Sequence, residues 1–245
     1  MTENNKVIKI VNFKSKIKMF IKSKKMHNIF PESGIIFIHI PKTGGISINN
    51  FLSSLKNDNI TYENKKKYYF YEELRRLKIA SIHGKARDYI KFIDNRLWNR
   101  SLKITSIRNP WDLMVSSYYW WLQEGFKFPR CRHMYNDIST MDFNEFITSS
   151  YGTNMINDCV GNIEDWIYDH NGKLLLDGLI RLENFEEDFQ TLISKFDLKI
   201  NGLKSLPKLN STSHKKYQDH YNENTKNIIE KRFDYLIKNY DYKFE

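Results

Sequence analysis

The sequence predicts an α/β protein, a single three-layer domain in which a parallel sheet lies between helices. Three observations carry this. Ile35–Ile40 and Ile104–Ile107 are short runs rich in β-branched residues, the pattern of strands buried on both faces. Each is followed by a turn carrying Pro, Gly or Asn and then by a helical pattern, the strand–turn–helix unit of parallel sheets. A chain of 245 residues, 40% hydrophobic and 15% aromatic, has enough apolar material for one core of this kind. The domain is assigned to residues 34–245, preceded by a basic N-terminal extension, residues 1–33.

In chain order, the extension interleaves lysines with Val7, Ile8, Ile10, Val11, Phe13, Ile17, Phe20 and Ile21. Two readings are open: an amphipathic helix making peripheral contact with a membrane surface, or a solvated extension packed by one face, which is preferred because a charge run alone is weak evidence. Pro41 ends the first strand, Lys42, Thr43, Gly44 and Gly45 form a loop, and a helix is expected from Ile46 to Leu55. Residues 57–78 read as a polar loop entering a helix at Tyr71–Leu77, with basic (Lys65–Lys67) and aromatic (Tyr68–Tyr71) clusters. Ile79–Gly84 is a short second strand ending at His83. Asn109 is an N-cap and Pro110 suits the first helical position, so a helix should run from Pro110 to about Leu122. Arg130–His133 reads as a polar loop. Asp142 and Glu145 form a capping box for a helix to about Ser150. His170-Asn171-Gly172 is a hairpin turn between Trp166–Asp169 and Lys173–Leu176. Ile180–Leu182 is a buried strand, with Glu183 placed to pair with Arg181. Asn184 should cap a helix over Phe185–Phe196, and Thr225–Asn239 should form one last helix.

The chemistry concentrates at two strand-to-helix turns. After the first strand, glycines let the backbone approach an anion, the first helical N–H groups point at it, and Lys42 adds a positive charge. The G-x-x-x-x-G-K-[ST] phosphate loop places its lysine after the glycines, with a hydroxyl for magnesium beside it. Here the lysine precedes them, so the loop should hold a phosphate-type anion without a metal. At the second turn, Arg108 and Ser116 are placed to reach one further phosphate. Two such turns suggest a ligand with two phosphate-like ends. His83, at a strand's carboxyl end, is a candidate base. The net charge of +10 fits an anionic ligand. No run of about 18 apolar residues and no secretory signal is visible, which together with Cys131 and Cys159 read as reduced thiols suggests a cytoplasmic protein; a single disulfide is the alternative.

Ile38-His39-Ile40-Pro41-Lys42-Thr43-Gly44-Gly45-Ile46-Ser47 resembles the 5′-phosphosulfate loop of the carbohydrate-type, Golgi- and heparan-related sulfotransferases, sulfotransferase family 2-like. Ile107–Asp112 followed by Ser116 resembles their 3′-phosphate motif. The resemblance runs from about Ile35 to the C-terminus. It implies a P-loop-nucleotide-binding-like sulfotransferase fold and 3′-phosphoadenosine 5′-phosphosulfate (PAPS) as co-substrate, with no metal required. By the same resemblance His83 and Lys42 are catalytic. Lys42, Thr43, Gly44, Gly45, Ile46, Ser47, Arg108, Ser116, Asn210, Ser213 and Tyr217 hold the nucleotide, Thr43 and Ser47 through their hydroxyls. Ile46 stands where the family usually has threonine or serine. The implied acceptor is a glycan or another hydroxyl-bearing molecule, and nucleic acid is not an expected partner. Two rivals come from other classes: a P-loop-type nucleotide kinase, against which the position of Lys42 argues, and a non-enzymatic basic protein binding membranes or polyanions.

Overall fold

The computed structural model describes residues 28–30, 33–57, 83–93, 95–201, 205–206 and 215–245. Along the chain these form β1 (Ile29–Phe30), β2 (Ile35–Ile38), α1 (Gly45–Ser53), β3 (Lys56–Asn57), α2 (Ala86–Phe92), α3 (Asn95–Arg100), β4 (Leu102–Ile107) and α4 (Pro110–Glu124). Next come α5 (Arg132–Ile138), α6 (Phe143–Thr148), α7 (Ser150–Asn154), β5 (Met155–Ile156), β6 (Cys159–Val160), α8 (Ile163–Ile167) and β7 (Gly178–Arg181). The last elements are α9 (Phe185–Lys195), β8 (Ile200–Asn201), α10 (Glu223–Arg232) and α11 (Asp234–Tyr240).

The main sheet has the order β1-β2-β4-β7. β2, β4 and β7 are parallel, with Ile38 opposite Thr105 and Ile107 opposite Arg181. Their carboxyl ends therefore lie along one edge, where open α/β sheets bind ligands. The sheet is mixed rather than purely parallel, because β1 pairs antiparallel with β2. A tight turn makes this geometry: Gly34, at φ 72°, donates its N–H to the Phe30 carbonyl at 2.8 Å.

Alternation along β2 builds the two outer layers. Ile35 and Phe37 pack with Ile48, Phe51 and Leu52 of α1 and Phe185 and Phe189 of α9. Ile36 and Ile38 face the other core, with Leu113, Met114, Val115 and Trp121 of α4 and Phe146, Trp166 and Phe233 beyond it. A strand apolar on both faces is thus sandwiched between helices.

Several local expectations change. Arg130–His133 is not a loop: a 3-10 turn (Pro129–Cys131) runs into α5, whose Met134 and Ile138 stand four apart and are both buried. The predicted hairpin keeps its turn, with Gly172 at φ 74°, but reduces to a single bridge between Tyr168 and Leu174, because Trp166 and Ile167 end α8 instead. Arg181 pairs with Asp188 at 2.7 Å, not with Glu183, since the first turn of α9 brings Asp188 back to it. Asn184 stands at the N-cap of α9 without a side-chain capping bond. The last helix is broken at Phe233 (φ −106°, ψ 26°), which turns this ring into the core between Ile229 and Leu236. The Asp142–Glu145 capping box forms as expected. The cationic extension up to residue 27, the helix at 71–77 and the strand at 79–82 lie outside the described residues. Among the described residues no helix is long and apolar enough to cross a membrane.

Candidate active site

The first turn leaves β2 through His39, Ile40 and Pro41. Lys42 (φ 66°) and Gly44 (φ 79°) both adopt the left-handed conformation, and α1 starts at Gly45. For lysine this backbone is unfavourable and must be held by its surroundings. Ser106 of β4 donates to the Thr43 carbonyl at 2.8 Å, and the Thr43 hydroxyl donates to the Ile40 carbonyl at 2.9 Å. Arg108 Nη1 donates to the Lys42 carbonyl at 3.1 Å. Gly44 suits its left-handed backbone, with Leu182 Cδ1 2.5 Å from where a Cβ would stand, and a Cβ on Gly45 would come 1.8 Å from His39 Nε2 and displace that ring. Nothing acidic stands in the first turn of α1, so its N-terminal dipole is left to attract an anion.

Thr43 departs from expectation. It is fully buried, and its hydroxyl serves the loop's own frame instead of facing a ligand. The Ser47 side chain is also buried, whereas Ile46 is 53% exposed at the mouth of the loop. Solvent reaches the loop at Lys42, Gly44 and Ile46.

The second turn follows β4. Asn109 caps α4 by accepting from the N–H groups of Trp111 and Asp112. Arg108 Nε donates to Asp112 Oδ2 at 2.7 Å, which fixes the plane of the guanidinium. Glu183, at the end of β7, accepts from the Asn109 N–H at 2.7 Å and so ties the third strand end to this turn. Tyr217 arrives at the same turn: its hydroxyl accepts from Asn109 Nδ2 at 3.5 Å and donates to the Glu245 carbonyl at 2.7 Å. Ser116 lies farther along α4 and is buried. Asn210 and Ser213 fall outside the described residues.

His83 sits in the turn before α2. Its Nδ1–H donates to the His39 carbonyl at 3.2 Å, and its ring meets the His39 ring edge-on with centroids 4.5 Å apart. With the proton on Nδ1, Nε2 is the basic nitrogen. Trp166 Nε1 donates to the His83 carbonyl at 3.2 Å and holds the turn. Burial pushes the His83 pKa below its usual value; the His39 carbonyl and Asp158 pull it up, and Arg130 and Lys42 push it down. Lys42 is lowered to about 8, first by burial and then by the Arg108 charge, with Glu124 opposing. Its ammonium stands 5.8 Å from the centre of the Trp120 ring. The Lys42 charge thus stands close enough to act on His83, as the Arg108 charge does on Lys42.

Sequence reasoning missed several neighbours. His39 leads into the loop on the same segment, whereas Ser106 meets it only through the pairing of β2 with β4. Asp158, held by Arg130 at 2.7 Å, reaches the surroundings of His83 from the β5–β6 hairpin. Only His39, at a strand end beside the glycines, gave any signal in the sequence. Cys131 and Cys159 are both free thiols. No cluster of three or more potential metal-ligating side chains occurs among the described residues.

No curated protein and no solved structure matches the chain. The model of the sulfotransferase family matches it over residues 25–245, a span that takes in both cationic turns, His83 and all the strands of the main sheet. The chain therefore belongs to the sulfotransferase family and is sulfotransferase family 2-like.

Proposed function

We propose that the protein moves a sulfuryl group from 3′-phosphoadenosine 5′-phosphosulfate to a hydroxyl, or an amine, of a carbohydrate acceptor. The observation that carries this reading is the hydrogen bond from Arg108 Nη1 to the Lys42 carbonyl, which joins the two cationic turns into one continuous surface. A nucleotide with a phosphosulfate at one end and a phosphate at the other matches two such turns side by side. The donor set fits it: a helix N-terminus without an acidic residue, a partly buried lysine and a guanidinium whose plane is fixed.

When bound, PAPS supplies an activated sulfuryl group on a phosphate leaving group. Lys42 and the N–H groups of Gly44, Gly45 and Ile46 offset the charge that collects on the departing phosphate oxygen. His83 Nε2 takes the proton of the attacking acceptor group as the new bond to sulfur forms and the bond to the phosphate oxygen breaks. Arg108, with Tyr217 near its turn, holds the 3′-phosphate and sets the register. Such a reaction asks the protein mainly for alignment and charge placement, as phosphoryl transfer does.

Incubation of the purified chain with radiolabelled PAPS and a mixed glycan pool tests this. Label should pass to the glycans and be lost with His83→Ala and with Lys42→Ala. A folded wild-type protein that transfers none would overturn the proposal.

A further inference from the structure

His39 lies between two parts of the site. Its side chain is almost wholly enclosed, 5% exposed. On one side it fills the space next to Gly45, where a Cβ would approach Nε2 to 1.8 Å. On the other its ring abuts the His83 ring at 4.5 Å, and its carbonyl accepts the Nδ1–H of His83 at 3.2 Å. Phe37 backs the ring at 5.7 Å. One residue therefore touches both the first residue of α1, where the anion turn becomes helix, and the imidazole of the base.

We propose that His39 is a positioning residue that couples the anion turn to His83, so that the base is aligned only when the turn holds its anion. Close-packed groups leave no slack, and a shift of α1 by a fraction of an ångström must move the His39 ring and with it His83. The carbonyl contact keeps the proton on Nδ1 while this happens. The base thus stays basic at Nε2 and is steered by the ring. This proposal rests on the reading of His83 as the base.

The test uses imidazole nitrogen NMR of the full chain with adenosine 3′,5′-bisphosphate as the probe. Without ligand, Gly45→Ala should shift the His83 resonances, and the same change in a His39→Ala background should shift them no further. With the nucleotide added, wild-type His83 should respond. In His39→Ala or His39→Asn the nucleotide should bind within about twofold of wild type, the scatter of an uncoupled change, while the His83 response disappears. A merely structural role for His39 would not separate binding from that response. Three results would each overturn the coupling: His83 resonances unmoved by Gly45→Ala, a bound nucleotide that wild-type His83 does not sense, or a response that survives both His39 variants. If the wild type does not bind the nucleotide at all, the proposed function falls, and the ligand-free comparison of Gly45→Ala in the two backgrounds still decides the coupling.

Discussion

Lys42 combines a left-handed backbone with an ammonium that burial and Arg108 make easier to deprotonate, at about 8 against an ordinary 10.5. An anion in the turn favours the charged form, so its binding should draw a proton onto Lys42. The sign follows: affinity for adenosine 3′,5′-bisphosphate should weaken as pH rises through about 8, where the ligand-free lysine loses its proton. Titration calorimetry across this range should show the step in the wild type and a flat profile in Lys42→Ala. A step that persists without Lys42 would assign it to another group. His83 responds to charges on the β5–β6 side. Asp158→Asn should lower its titration midpoint further and Arg130→Ala should raise it, since the first removes an attraction and the second a repulsion. NMR titration of the imidazole would read both; shifts in the opposite sense would place Asp158 and Arg130 outside its field. At this scale the sequence made Lys42, Gly44, Gly45 and Arg108 legible, because each stands where a buried run stops. The burial of the Thr43 hydroxyl was not legible, because its partner Ser106 lies 63 positions away and meets it only across the sheet.

Among the elements, α4 depends on its cap. Asn109 accepts two N–H bonds at the start of the helix and donates its amide to the Lys243 carbonyl at 3.1 Å. Asn109→Ala should cost about 1 kcal/mol of stability, within the 0.5–2 kcal/mol range of N-cap deletions, and it frees the turn that carries Arg108. Denaturant unfolding would measure the loss, and an unchanged midpoint would deny the cap its role. β2, β4, α1 and α4 could be read from sequence to within a few residues, since buried β-branched runs, Asn-Pro and a glycine turn are local signals. α5 could not: Arg132, His133, Asn136 and Asp137 hide the spacing of Met134 and Ile138. The break at Phe233 was also hidden, because Ile229, Phe233 and Leu236 fit a continuous helical stripe as well as a broken one.

For the molecule as a whole, the parallel register of β2, β4 and β7 assembles the candidate site. It sets the Lys42 turn, the Arg108 turn and Glu183 on one edge, while alternate residues of β2 anchor cores on both faces. Continuous β-branched runs and turn chemistry made the three-layer class legible. The antiparallel β1 was not, because two residues carry no period of their own and their pairing depends on the turn at Gly34.

The most direct test of the two-turn site is calorimetric binding of adenosine 3′,5′-bisphosphate and of adenosine 5′-phosphate, each with a magnesium chelator present. The bisphosphate should bind without metal and at least about tenfold more tightly, a difference of about 1.4 kcal/mol, and Arg108→Ala should remove that margin. Equal affinities in the wild type, or binding that requires magnesium, would contradict a nucleotide held at both ends by Lys42 and Arg108.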